Sequence, residues 1–148
     1  MDGLFREFGA VRAEAPNVVL IDIGTNDLGN GCVAEDLAEG IVEFARKLTA
    51  IPSVLQVVIC HILTRIPKPS GRFVVRHDFE VARHTVSDTV VRLISNFDNI
   101  HFWPHRKLFD AKNFARDGVH MSATGMEKYV SSMRKAAIHA FKRCQKHV

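Results

Sequence analysis

The sequence predicts a single α/β domain in three layers, α/β/α, with a parallel sheet between helices. Three observations carry that expectation: short runs of strand-type apolar residues, longer amphipathic stretches between them, and Pro, Gly and Asn at the joins. The chain's 148 residues fit one ordinary domain. Its 47% apolar and 24% charged content is that of a globular protein.

The first strand is Val18-Val19-Leu20-Ile21-Asp22-Ile23, preceded by a short amphipathic segment with Leu4, Phe5, Phe8 and Val11 that Pro16 and Asn17 end. Nearly every strand residue is β-branched or large and apolar, as in a strand covered on both faces. From Glu35 to Ala50, Leu37, Ile41, Phe44, Ala45 and Leu48 recur at helical spacing. Pro52 and Ser53 break that helix, and Val54 to Cys60 supplies the second strand. Residues 64–76, with two prolines and a glycine among basic side chains, are expected to be irregular and exposed. A third helix runs from about Asp78 to Phe97, Ile100 to Trp103 is the third strand, and a polar connection over 104–121 leads to a last helix. Ser122 is its N-cap, and Met126, Tyr129, Val130, Met133, Ala137 and Phe141 form its apolar stripe. The order αβαβαβα implies right-handed crossovers. Three strands are few where about five are usual.

No stretch approaches the run of about 18 apolar residues that a membrane span needs. Met1 to Ala15 mixes five charged side chains with apolar ones, unlike a secretory signal. Cys32, Cys60 and Cys144 are odd in number and widely separated, which reads as reduced thiols. Together these predict a cytoplasmic protein, the nucleus remaining open. The net charge of +4 is unevenly spread: residues 106–148 hold ten Lys or Arg against three acids, residues 1–105 ten against thirteen. A solvated outer helix face explains a basic C-terminal third, and so does an anionic partner such as nucleic acid.

In a parallel sheet, ligands collect beyond the carboxyl ends of the strands, so the residues just after each strand are the informative ones. After the first strand comes Gly24-Thr25-Asn26-Asp27. The glycine permits a tight turn, and the Asn amide is a neutral donor suited to a developing oxyanion. The same tetrapeptide also reads as a plain turn. Directly before the last helix stands Asp117-Gly118-Val119-His120. A carboxylate three residues ahead of a histidine can turn back and accept the Nδ1 proton, leaving Nε2 to take a proton from a nucleophile. An unrelated Asp and His on a surface loop would give the same spacing. His61, after the second strand, either lines the site or is structural.

Together the strand ending in Gly24-Thr25-Asn26-Asp27 and the run Asp117-Gly118-Val119-His120-Met121-Ser122-Ala123-Thr124-Gly125 resemble the third and fifth blocks of the SGNH or GDSL-type hydrolase superfamily. The resemblance extends over essentially the whole chain. It implies a flavodoxin-like parallel sheet, hydrolysis of acyl or acetyl carboxylic esters, and no metal or organic cofactor. By residue it makes His120 the general base, Asp117 its orienting acid and Asn26 an oxyanion-hole donor, with Gly24, Thr25, Asp27 and His61 as substrate-binding candidates.

The family's nucleophile sits in a Gly-Asp-Ser block on its first strand, and a further block adds an oxyanion glycine. Neither block is in this sequence, and none of Ser53, Ser70, Ser87, Ser95, Ser122, Ser131 and Ser132 follows Gly-Asp. The resemblance therefore implies an N-terminally truncated domain with an exposed sheet edge, open to a partner chain or to self-association. It also implies weak or absent esterase activity from this chain alone. A binding module that holds an anionic partner through the basic C-terminal third is the alternative. His77, His84, His101, His105, His139 and His147 share no ligand spacing with Asp, Glu or Cys, so no metal site is expected. Trp103 and the ten phenylalanines read as core rather than as a platform for bases.

Overall fold

A computed structural model describes residues 8–67 and 77–145. Leu4, Phe5, Ser70, His147 and residues 68–76 of the basic loop lie outside the described residues. The elements are α1 (Phe8–Glu14), β1 (Val18–Ile21), α2 (Thr25–Gly29), α3 (Ala34–Thr49), β2 (Gln56–Cys60), α4 (Phe79–Leu93), β3 (Ile100–Trp103) and α5 (Ala123–Cys144), with a 3₁₀ turn at Ala111–Asn113 before α5. The strands lie in the order β1-β2-β3, all parallel, with Ile21 beside Ile59 and Ile59 beside Phe102.

Every residue of β2 is buried, as expected of the middle strand. Val57 and Ile59 join the larger core under α3 and α4, with Leu28, Ile41, Leu48, Phe79 and Ile100. Val58 and Cys60 face the other way, onto Ala136 and Ala140 of α5. These small alanines let α5 approach the sheet closely. The periodic stripe of α3 becomes its buried face, Leu37, Ile41, Phe44, Ala45 and Leu48. Glu35 and Asp36 in its first turn and Arg46 and Lys47 in its last oppose the helix dipole. Among the described residues β1 is hydrogen-bonded on one side only. Nearby, α5 leaves Met126, Val130 and Phe141 on its surface at 48%, 57% and 52% exposure.

Several boundaries differ from the sequence expectation for local reasons. β1 stops at Ile21, and Gly24 to Asp27 form the entry of the short helix α2 rather than a simple turn; Gly24 (φ 100) occupies its N-cap. β2 begins at Gln56 because Val54 N–H closes a turn onto Ile51 O at 2.9 Å. The expectation of an exposed 64–76 loop fails at its start: Thr64 and Arg65 are buried. The connection over 104–121 is not simply polar surface, since His105, Leu108, Asn113 and Phe114 are buried and Phe114 bridges Met121. Ser122 caps α5, its Oγ accepting from Gly125 N at 3.1 Å and donating to Lys112 O at 2.9 Å. Among the described residues no helix is long and apolar enough to cross a membrane.

Candidate functional site

Because the strands are parallel, the segments after Ile21, Cys60 and Trp103 all leave the same rim of the sheet. Two hydrogen bonds join them. Arg65 Nη2 donates to Asn26 Oδ1 at 2.9 Å, and the next residue, Ile66, donates its N–H to Gly118 O at 2.8 Å. The segment after β2 is thus a strap that ties Asn26 on one side to the Asp117–His120 turn on the other.

Asp117 organises that turn. Its Oδ1 accepts from Val119 N and His120 N, each at 2.9 Å, while Oδ2 faces His120 Nδ1 at 2.5 Å. Gly118 takes φ 72, a conformation that a side chain disfavours, so the backbone can fold back on the carboxylate. The hydrogen bond from His120, and after it those from the two amides, hold the Asp117 carboxyl at about 2. An ionised carboxylate accepts only, which assigns the imidazole proton to Nδ1 and the lone pair to Nε2. The His120 side chain is 72% exposed, so the imidazole is presented at the surface of the rim.

Asn26 lies exposed in the first turn of α2. A guanidinium can only donate, so Arg65 fixes the carbonyl end of the Asn26 amide and turns the NH₂ end away from itself. Arg65 is 7% exposed and lies over the Phe79 ring at 5.5 Å. Burial lowers its pKa from the ordinary arginine value. Gly29 makes room for it, since a Cβ there would run into the guanidinium. The sequence predicts an exposed loop at Arg65; its apolar neighbours Ile62, Leu63 and Ile66 are the local signal that it turns inward.

Gly24 is buried, and a Cβ on it would stand 3.0 Å from Ile62 Cδ1; Thr25 is half-buried and Asp27 exposed. His61 is buried among the rings of Phe102 and Phe109, with Nε2 2.6 Å from Arg83 Nη1. Burial, then the Arg83 charge, lowers its pKa to about 4. Arg83 in turn pairs with Glu80 at 2.7 Å, and Thr64 donates to the same carboxylate. His61 thus joins the end of β2 to α4 through Arg83. Among the described residues no group of three or more His, Cys, Asp or Glu side chains is placed to hold a metal ion.

The parallel sheet and its helices are those of an SGNH-class hydrolase fold. The sequence profile of the GDSL-like lipase/acylhydrolase family matches residues 2–128, and the chain belongs to that family. A protein from Agrobacterium tumefaciens assigned as a putative arylesterase is 19% identical, with a TM-score of 0.66 over 88% of this chain and 67% of its own. TesA is 18% identical, with a TM-score of 0.59 over 90% of this chain and 71% of its own. At such identities the likeness establishes the fold alone. No curated protein matches the chain.

Proposed function

We propose that this domain carries the acid–base and oxyanion portion of an acyl- or acetyl-ester hydrolase. In the reaction a serine hydroxyl attacks the ester carbonyl while His120 Nε2 takes its proton. The Asp117 carboxylate stabilises the resulting imidazolium. The Asn26 NH₂ donates to the tetrahedral oxyanion, and His120 then returns the proton to the departing alcohol. Water, activated by the same imidazole, releases the acid. No metal or organic cofactor enters these steps. The observation that carries the reading is the strap: Arg65 and Ile66, consecutive residues, join the oxyanion donor to the base turn.

The serine belongs on a strand parallel to β1 along the edge that is unpaired among the described residues, because such a strand ends at the same rim. Another chain or a second copy can dock on that edge. Without the serine the base has no group to activate, and turnover is weak or absent. The test is to fuse a Gly-Asp-Ser strand–helix–strand from the GDSL-like lipase/acylhydrolase family ahead of this chain and assay p-nitrophenyl acetate. The expected result is hydrolysis above buffer that the serine-to-alanine change abolishes and His120→Ala lowers by about 10²–10⁴-fold. A cooperatively folded fusion that is inactive, or whose turnover ignores His120→Ala, contradicts the proposal.

A further inference from the structure

A concavity lined by none of Asn26, Asp117 and His120 lies between the end of β3 and α5. It is a cleft of about 940 Å³, near the top of the range of roughly 300–1,000 Å³ usual for ligand sites. Its floor includes Trp103, half-buried and held in one orientation: Nε1 donates to Ser132 Oγ at 3.1 Å, and the indole tilts against the His139 ring at 5.9 Å. Ser132 is fixed in turn, 2.9 Å from Nδ1 of the fully buried His105. With the Trp103 proton directed at Ser132 Oγ, the hydroxyl proton goes to His105.

The walls are basic. Arg106 and Lys107 rise on one side, and Lys128, Lys135 and His139 line the α5 side at near-helical spacing; Glu127 is the carboxylate of the lining. The loop with Arg106 and Lys107 is built in place. Asn113, fully buried, donates Nδ2 to the carbonyls of Lys107 at 3.1 Å and Leu108 at 3.3 Å, while its Oδ1 accepts from Lys128 Nζ at 2.9 Å. Lys107 is held at φ 65, which a non-glycine residue rarely adopts without a structural constraint.

We infer that this cleft binds single-stranded nucleic acid, a base stacking on Trp103 while the Lys and Arg walls follow the phosphates. A flat, pre-oriented aromatic face flanked by cations suits a chain that alternates π faces with negative charges. Duplex DNA keeps its base faces stacked inside and has no use for the floor. A phosphate-rich polymer without bases would use the walls alone. The inference is independent of the ester-hydrolase reading, since none of these residues is in the Asp117, His120 and Asn26 set.

Trp103 is the chain's only tryptophan, so its fluorescence reports directly on the cleft. Titration of the whole chain with a short oligouridylate is expected to quench that emission saturably. Affinity is expected to fall roughly twentyfold between about 50 and 200 mM salt, the dependence of about three neutralised phosphates on a single strand. Both Lys107 and Lys135 are exposed, and Lys107→Glu combined with Lys135→Glu is expected to weaken binding at least tenfold with unfolding unchanged. The inference is overturned by the absence of quenching at low salt, or by an unchanged affinity in the double variant. Equal quenching by a duplex, by polyphosphate or by anionic lipid vesicles overturns it as well.

Discussion

Gly125→Ala lowers the stability of this chain by roughly 3 kcal/mol, although the same change in an open helix interior adds about 1 kcal/mol. Gly125 is buried in the first turn of α5, within the run that follows the Asp117–His120 turn. A Cβ there would strike the Asn113 carbonyl, and backbone cannot swing aside as a side-chain end does. Nor is Asn113 able to retreat. Its carbonyl accepts from Ser122 N at 2.9 Å, and its side chain is bound to Lys107, Leu108 and Lys128. The steric penalty therefore exceeds the gain in helix propensity. Urea unfolding of the variant should show a clearly lower midpoint, and an equal or higher midpoint would refute the contact.

Asp117→Asn separates two tasks that one carboxylate performs. The Asn carbonyl can still accept from Val119 N and His120 N, so the turn persists and stability changes little. Its NH₂, however, faces His120 Nδ1 as a donor, where the carboxylate accepts at 2.5 Å. Nδ1 must then offer a lone pair, the ring proton moves to Nε2, and in the proposed reaction His120 loses the atom that would take the serine proton. In the serine-completed fusion kcat is expected to fall by about 10⁴-fold, the effect of a wrong tautomer in a serine triad. A loss smaller than tenfold, with the protein folded, removes Asp117 from the orienting role.

What was legible in the sequence was what depends on neighbours along the chain. Strand β3 has the bounds its apolar run suggested, α3 is displaced by one residue, and Ser122 caps α5 because the cap acts three residues ahead. The Asp117–His120 contact is of this kind too, since three residues and a left-handed glycine are enough to make it. Arg65 is the opposite case. Its charge suggested solvent, but Asn26, 39 positions earlier, and the face of Phe79 provide its environment; the apolar flanks Ile62, Leu63 and Ile66 hint that it turns inward but do not report those partners. Asn113 and His105 were hidden in the same way, as polar residues of a connection that their long-range partners draw into the interior. Trp103, read as core, is half-buried because β3 ends there and the indole reaches the cleft beside α5.

The proposed reaction requires the Asn26 amide and the His120 imidazole to converge on one reaction centre. A variant with Asn26→Cys and His120→Cys, and with Cys32→Ser to remove the half-buried native thiol, allows that convergence to be measured. Treatment with a short thiol-to-thiol reagent, followed by peptide mass spectrometry, should give an intramolecular link between positions 26 and 120. Efficient single modification of both thiols, with no link between them, would place the two side chains too far apart to share a substrate.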